Sequence, residues 1–228
     1  MPKLLIADDD KLNRTLLSKL MQKLGADCSL AENGQEALEM ALTRNFDAVL
    51  LDINMPFMQG PECAEKIRAD FSDRNEKPPV LVCISADSDF SNSPLFDYSL
   101  SKPFMSDDIQ QFIFAVAECE RKIEYDITHV SEIIGLDKET MLLLMEEFFS
   151  VMDEEILNLR DSVFAGDKEI ITHVAHKMKG AAAGMMVLRM QELCAAMQTS
   201  EKSDINKIKL LLIQIICCYS KFRALFTY

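Results

Sequence analysis

Two sets of side chains in this chain could handle a small, highly charged group. The first is carboxylate-rich. Asp8-Asp9-Asp10 follows the apolar run Leu4-Leu5-Ile6-Ala7, Asp52 follows Ala48-Val49-Leu50-Leu51, Ser85 closes Val80-Leu81-Val82-Cys83-Ile84, and Lys102 comes directly after Tyr98–Ser101. Carboxylates gathered in one place repel one another, so their joint presence calls for a cation, and hard oxygen donors with room for water suit Mg²⁺. A carboxylate beside such a cation and an ammonium group can attack phosphorus, because both positive groups neutralise charge on the transferred group. The second set surrounds an imidazole in Thr172-His173-Val174-Ala175-His176-Lys177-Met178-Lys179-Gly180. On a helix, Lys179 and Gly180 lie three and four residues past His176 and so share its face. Glycine inside a helix costs about 1 kcal/mol relative to alanine, which points to a partner that must come close to the ring. Lys177 and Lys179 would attract an incoming acyl phosphate, and a largely neutral imidazole is a competent nucleophile near pH 7.

Each feature has a plainer reading when taken singly. An acidic residue after a strand is often a helix cap, as Asp10 would be, and Lys-Pro is an ordinary loop dipeptide. His176 alone could be a helix-surface histidine with a tolerated glycine nearby. His173 lacks Lys and Gly at the required offsets, because His176 and Lys177 stand three and four residues on, so it reads as a surface or packing residue. His129 has no constellation around it.

Strand-like runs over Lys3–Ala7, Asp27–Ala31, Ala48–Leu51, Val80–Ser85 and Tyr98–Ser101 must position the first set. Two of them are continuously apolar, as strands covered on both faces should be. Between them, Leu12, Leu16, Leu17, Leu20, Met21 and Leu24 recur at helical spacing up to Gly25. Ala37, Leu38, Ala41 and Leu42 follow Asn33-Gly34. A third helix is predicted from about Pro61 to Phe71, and a fourth from Ser106, as its cap, through Cys119. Strand–helix alternation of this kind predicts an α/β doubly wound, parallel, five-stranded sheet whose chemistry gathers at the carboxyl ends of the strands. Beyond about Arg121 no strand pattern returns. Helices are predicted over Ile127–Ile134, Lys138–Val151, Glu154–Phe164, Lys168–Ala183, Leu188–Thr199 and Ile205–Phe226, an all-α helical bundle, with Ala115–Tyr125 extending the preceding helix toward it.

The first 120 residues resemble the response-regulator receiver domain of two-component signalling. The likeness rests on Leu4–Asp10, on Val49-Leu50-Leu51-Asp52-Ile53-Asn54-Met55-Pro56 with Gly60, on Ser85-Ala86 and on Lys102-Pro103-Phe104. It implies a flavodoxin-like fold with Asp52 as phosphoacceptor and Asp8, Asp9 and Asp52 as Mg²⁺ ligands. Lys102 and Ser85 would contact the phosphoryl oxygens, the Lys102-Pro103 bond would be cis, and Gly60 would permit the turn after the acceptor loop. Receivers usually carry an aromatic residue three positions before the lysine, where this chain has Ser99. Ser85 and Lys102 are also only 17 residues apart, and Asp87–Pro94 does not read as a helix. Phosphoacceptance is therefore better supported than the usual aromatic switch.

Residues 126–228 resemble the histidine-containing phosphotransfer (HPt) domain. The likeness rests on Ala175–Ala182, on Phe148-Phe149 and Ala165-Gly166-Asp167 upstream, and on Leu193–Met197 downstream. It implies four long antiparallel helices, His176 as the phosphorylated residue, and Lys179 and Gly180 as its supports. Met186 stands where the family often has glycine. Together, a receiver over 1–121 and an HPt domain over 126–228 imply a phosphorelay protein that is not itself an enzyme. Its expected partners are a sensor histidine kinase, other receiver domains, or both. Two alternatives stay open: receiver phosphorylation gating the HPt domain, or the HPt domain draining phosphate, without transfer between Asp52 and His176. A more distant one is a haloacid-dehalogenase-like phosphatase with Asp8 as nucleophile.

Composition narrows the field further. There are 24 basic against 37 acidic side chains, a net charge of −13. Up to Lys122 the count is 13 against 21, and beyond it 11 against 16, so neither half is basic. That disfavours nucleic acid and anionic membranes as partners. No phosphate-binding G-x-x-x-x-G-K-S/T or kinase glycine box is present, so use of ATP is not expected. Seven cysteines without a C-x-x-C pair predict reduced, buried thiols and a cytoplasmic location. No apolar run reaches the roughly 20 residues of a membrane helix, so no membrane insertion is expected.

Overall fold

The computed structural model describes residues 1–74, 78–86, 93–119, 123–200 and 205–226. They form two compact units, Met1–Glu120 and Arg121–Tyr228. In the first, β1 (Lys3–Ala7), β2 (Asp27–Ala31), β3 (Ala48–Asp52), β4 (Val80–Ser85) and β5 (Tyr98–Ser101) make one sheet in the order β2-β1-β3-β4-β5. Every pairing is parallel. The connecting helices are α1 (Lys11–Lys23), α2 (Gly34–Thr43), α3 (Gly60–Asp73) and α4 (Ser106–Cys119). Successive side chains of a strand point to opposite faces, which explains the unbroken apolar runs. Leu5, Ala7, Val49, Leu51, Leu81 and Cys83 share one core with Ala37, Ala41, Cys63, Ala64 and Ile67 of α2 and α3. The alternate residues Leu4, Ile6, Leu50 and Val82 are also wholly buried.

Local signals explain the helix ends. Asp10 accepts hydrogen bonds from the Leu12 and Asn13 N–H groups and caps α1, so the plainer reading of that residue holds. Ser106 is the first residue of α4 and not its cap. The segment Asp87–Asn92 lies outside the described residues; Pro94 and Leu95 form a turn before β5. That turn is held from α3, where Arg68 donates to the Leu95 carbonyl (3.0 Å) and to Asp97 Oδ1 (2.9 Å). Asp97 in turn accepts the Leu81 N–H of β4 through Oδ2 at 2.9 Å.

The second unit contains α5 (Ile127–Ile134), α6 (Lys138–Ala165), α7 (Lys168–Gly184), α8 (Leu188–Thr199) and α9 (Ile205–Ala224). The helix expected to run on through Tyr125 does not reach it: α4 is described to Cys119, and residues 123–126 are not helical. The two helices expected over 138–151 and 154–164 are one helix of 28 residues. No Gly or Pro interrupts Val151-Met152-Asp153, and Met152 is wholly buried on the core stripe, so nothing ends the helix before Gly166 takes up the left-handed conformation. Contacts close a ring in which α6 packs on α7, α7 on α8, α8 on α9 and α9 on α6. Short connections make successive helices antiparallel. Tyr219 of α9 donates to Asp153 Oδ1 of α6 at 2.6 Å, and Phe222 of α9 meets Phe148 and Phe149 of α6. Among the described residues no helix is long and apolar enough to cross a membrane.

No disulfide joins the described cysteines. Burial pushes the thiols of Cys63 and Cys194 up to about 12 and those of Cys28 and Cys218 up to about 11. The thiolate is the nucleophile, so Cys63 and Cys194 should resist iodoacetamide at pH 8 by about a thousandfold relative to an ordinary thiol. Mass-spectrometric mapping of the native protein checks this, and unfolding in urea should abolish the protection.

Candidate functional site

The parallel register assembles the first site. Ala7 of β1 pairs with Leu51 of β3, so Asp8 and Asp52 emerge side by side at the carboxyl edge of the sheet. The neighbouring β4–β5 pair ends at Ser85 and Ser101, and the Lys102 N–H then donates to the Ser85 carbonyl at 2.8 Å. This brings the lysine to the acids across 94 residues of sequence: Lys102 Nζ lies 2.8 Å from Asp8 Oδ2 and 2.7 Å from Asp52 Oδ1. The Lys102-Pro103 peptide is cis. Asp8 and Asp52 are buried, and Asp9 is exposed. Asp8 also accepts the Asp10 N–H at 2.9 Å.

Carboxylate oxygens of Asp8, Asp9 and Asp52 all lie within 4.8 Å of one another. Burial raises the Asp52 carboxyl above its ordinary value; the bond and charge of Lys102 oppose this, and the charge of Asp8 adds to it. Burial also works against the Lys102 ammonium, but its bonds to Asp52 and Asp8 outweigh that and hold its pKa above the ordinary lysine value. Both shifts favour the protonated form, Asp52 chiefly because it is buried and Lys102 because it is bonded to Asp52 and Asp8. Three anionic, hard oxygen donors with one of them open to water are the donor chemistry of Mg²⁺, so these residues fit that ion.

Gly60 does its work through space and not through an unusual φ. A Cβ there would lie 2.3 Å from the Asp52 carbonyl oxygen, and the Gly60 N–H donates to the Ile53 carbonyl at 3.0 Å. The glycine lets α3 start against the backbone of Asp52. The expectation of a permissive turn is corrected to one of close approach. On the far side of the sheet edge, Tyr98 is buried and stacks on Phe112 with centroids 5.6 Å apart. Ser99 occupies the alternate position, so β5 offers no aromatic there.

The second site lies on α7. Ile171, Val174, Ala175, Met178 and Ala182 face the core, which leaves His173, His176, Lys177 and Gly180 exposed and Lys179 half-buried. His176 borders an open groove of about 490 Å³ with Lys168, Glu169, Thr172, His173 and Gln198. The His176 Nδ1 is 3.1 Å from Gln198 Nε2 on α8. Because O and N of an amide can be exchanged, either amide atom can face the ring, and Nε2 is the ring nitrogen left without a bond among the described residues. Lys177 does not accompany His176 as expected: its ammonium is bonded to the buried carboxylate of Glu155 on α6. No hydrogen bond or ion pair engages Lys179 among the described residues. A Cβ at Gly180 would meet nothing within 4 Å. The fold has no need of that glycine, so Gly180→Ala should raise the thermal stability of the second unit by about 0.5–1 kcal/mol through helix propensity and still slow phosphotransfer at His176. Calorimetry and a transfer assay on one preparation check both signs.

Gln198 was not legible as a partner from composition. The signal was positional: residues 176 and 198 lie equally far, 11 residues, on either side of Val187 in an antiparallel pair.

The first unit is thus a parallel sheet with an acidic pocket at its carboxyl edge, and the second a helical bundle with an exposed imidazole beside Gln198. The response regulator receiver domain family matches residues 4–114 and the Hpt domain family residues 143–215. The chain therefore belongs to the response regulator receiver family in its first unit and to the Hpt family in its second. Among curated proteins it is similar to hybrid signal transduction histidine kinase E of Dictyostelium discoideum, 41% identical over 88 residues, covering 38% of this chain and 5% of that protein. It is also similar to the aerobic respiration control sensor protein ArcB of Escherichia coli, 25% identical over 217 residues, covering 86% of this chain and 28% of that protein. The chain thus spans well under a third of the length of these relatives. Among solved structures, the Thermotoga maritima response regulator protein TrrA, in complex with Mg²⁺ and BeF, is 30% identical with a TM-score of 0.46, covering 51% of this chain and 99% of that one.

Proposed function

We propose that this chain carries a phosphoryl group in a phosphorelay, on Asp52 in a receiver spanning residues 1–121 and on His176 in an HPt domain spanning 126–228. The observation that carries the reading is the Lys102 ammonium at hydrogen-bond distance from both Asp8 and Asp52 at the sheet edge. Asp8, Asp9 and Asp52 would hold Mg²⁺, which when bound supplies positive charge facing the phosphoryl oxygens. Asp52 would attack phosphorus as the bond to the donor nitrogen breaks and its electron pair returns to the donor imidazole. Lys102 and Ser85 would bind the phosphoryl oxygens. At His176, a Gln198 carbonyl accepting from Nδ1–H would leave the lone pair on Nε2, the atom that forms the N–P bond as the P–O bond to an aspartate breaks. Lys179 would attract the group, and Gly180 would let the partner's backbone approach. The geometry favours Asp52 over Asp8 as nucleophile, because Asp8 is the more deeply buried of the two, 1% exposed against 9%.

The relatives include proteins named hybrid histidine kinases and sensors, which supports a sensor histidine kinase or a second receiver as partner. The chain would act in the cytoplasm and would not use ATP itself. Incubation with acetyl phosphate and Mg²⁺, or with a phosphorylated receiver, tests the assignments. Base-labile, acid-stable label should vanish in Asp52→Asn only, and acid-labile, base-stable label in His176→Gln only. Label that survives its own substitution overturns that assignment.

A further inference from the structure

The core-facing stripe of α1 reads Arg14, Leu17, Ser18 and Met21. Its first position, where the fold by itself would favour an aliphatic residue, holds a guanidinium that is 5% exposed. Burying a charge is costly unless it is well bonded. Here Nη1 donates to the Asp8 carbonyl at 2.6 Å and to the Asp9 carbonyl at 3.0 Å, and Nη2 donates to Glu32 Oε1 at 2.6 Å. The Glu32 side chain is 72% exposed, so that ion pair alone contributes little. The two carbonyl bonds fix two consecutive peptide planes, those on either side of Asp9.

This matters because the carboxylates differ in how they are held. Asp8 and Asp52 are tied to Lys102. No hydrogen bond or ion pair holds the Asp9 carboxylate among the described residues, so its place within 4.8 Å of the other two is set by its main chain. We infer that Arg14 is a positioning residue of the divalent-cation site, fixing the Asp9 carboxylate by gripping the main-chain carbonyls of Asp8 and Asp9. The inference rests on the reading of Asp8, Asp9 and Asp52 as that site. Outer groups that orient metal ligands typically change affinity by about 10–100-fold when lost.

Charge and geometry make opposite predictions. If Arg14 acted only as a nearby positive charge, its removal would tighten cation binding. As a clamp, its removal weakens binding, and lysine cannot replace it because one ammonium does not reproduce the planar fork. Calorimetric titration of the full chain with Mg²⁺ alone decides. Arg14→Met and Arg14→Lys should each weaken binding by about tenfold or more, and Glu32→Gln should stay within about twofold of wild type. Arg14→Lys retains the charge and serves if Arg14→Met does not fold. Wild-type affinity in Arg14→Lys, or tighter binding in Arg14→Met, overturns the inference, even if unfolding in EDTA shows both variants less stable. A wild type that takes up no Mg²⁺, or an Asp9→Asn variant that binds as tightly as wild type, overturns the cation-site reading and this inference with it. A weakened Asp9→Asn beside unchanged Arg14 variants overturns this inference alone.

Discussion

Gly60→Ala should destabilise the first unit by about 3 kcal/mol or more, lowering its unfolding temperature by about 10 °C. The added carbon would sit 2.3 Å from the Asp52 carbonyl oxygen and 3.3 Å from Ile53 Cα. Both are main-chain atoms in β3 or just past it, flanked by fully buried neighbours, so neither can step aside as a flexible side chain would. Relief must come from moving the start of α3 or the peptide that carries Asp52. Either way the acceptor carboxylate shifts relative to Lys102, and label uptake from acetyl phosphate should fall together with stability. Gly180→Ala in the same chain supplies the contrast, because there the space is empty. Differential scanning calorimetry of the two variants should show changes of opposite sign; a Gly60→Ala protein with wild-type stability and uptake would mean that the close contact is not present.

Lys102→Met should slow phosphorylation of Asp52 by on the order of 10²–10³-fold, the usual cost of removing one preorganised charged donor from a site of charge transfer. It should also make stability steeply dependent on pH. Lys102 is the main group that lowers the Asp52 pKa against burial and the charge of Asp8, with a smaller contribution from the Asn54 N–H, so without Lys102 the carboxyl rises further. A carboxyl whose folded pKa lies above its unfolded value favours the folded state when protonated. That contribution is fully present below the unfolded pKa near 4 and is lost as pH rises through the folded pKa. The variant should therefore be closest to wild type in stability at about pH 4 and fall behind it progressively toward pH 7, in the absence of divalent cations. Urea unfolding of both proteins across that range checks the sign. Equal pH profiles would show that the ammonium does not compensate the acids.

How much was readable in the residues differs between the two sites. The apolar runs that end in Asp8, Asp52 and Ser85 marked the three inner strands of the sheet, because a strand covered on both faces must be apolar throughout and a parallel strand can show its chemistry only at its end. His176 with Lys179 and Gly180 was equally plain, since helical spacing alone puts them on one face. Lys177 was misread because its neighbour in sequence is His176 while its neighbour in space is Glu155, on a helix 22 residues earlier. The two helices expected over 138–151 and 154–164 are one, and the Asp153 between them is the acceptor for Tyr219 from α9.

By itself the sequence determined which residues can do chemistry, which periods they sit on, and that an α/β sheet precedes a helical bundle, because hydrophobic period and local spacing act over a few residues. Only the tertiary structure decided that Arg14 grips the carbonyls of Asp8 and Asp9, that Gln198 meets the ring of His176, and that Gly60 is there for room against Asp52. Those contacts join elements whose separation along the chain carries no periodic mark. Their distances are settled by how the elements pack.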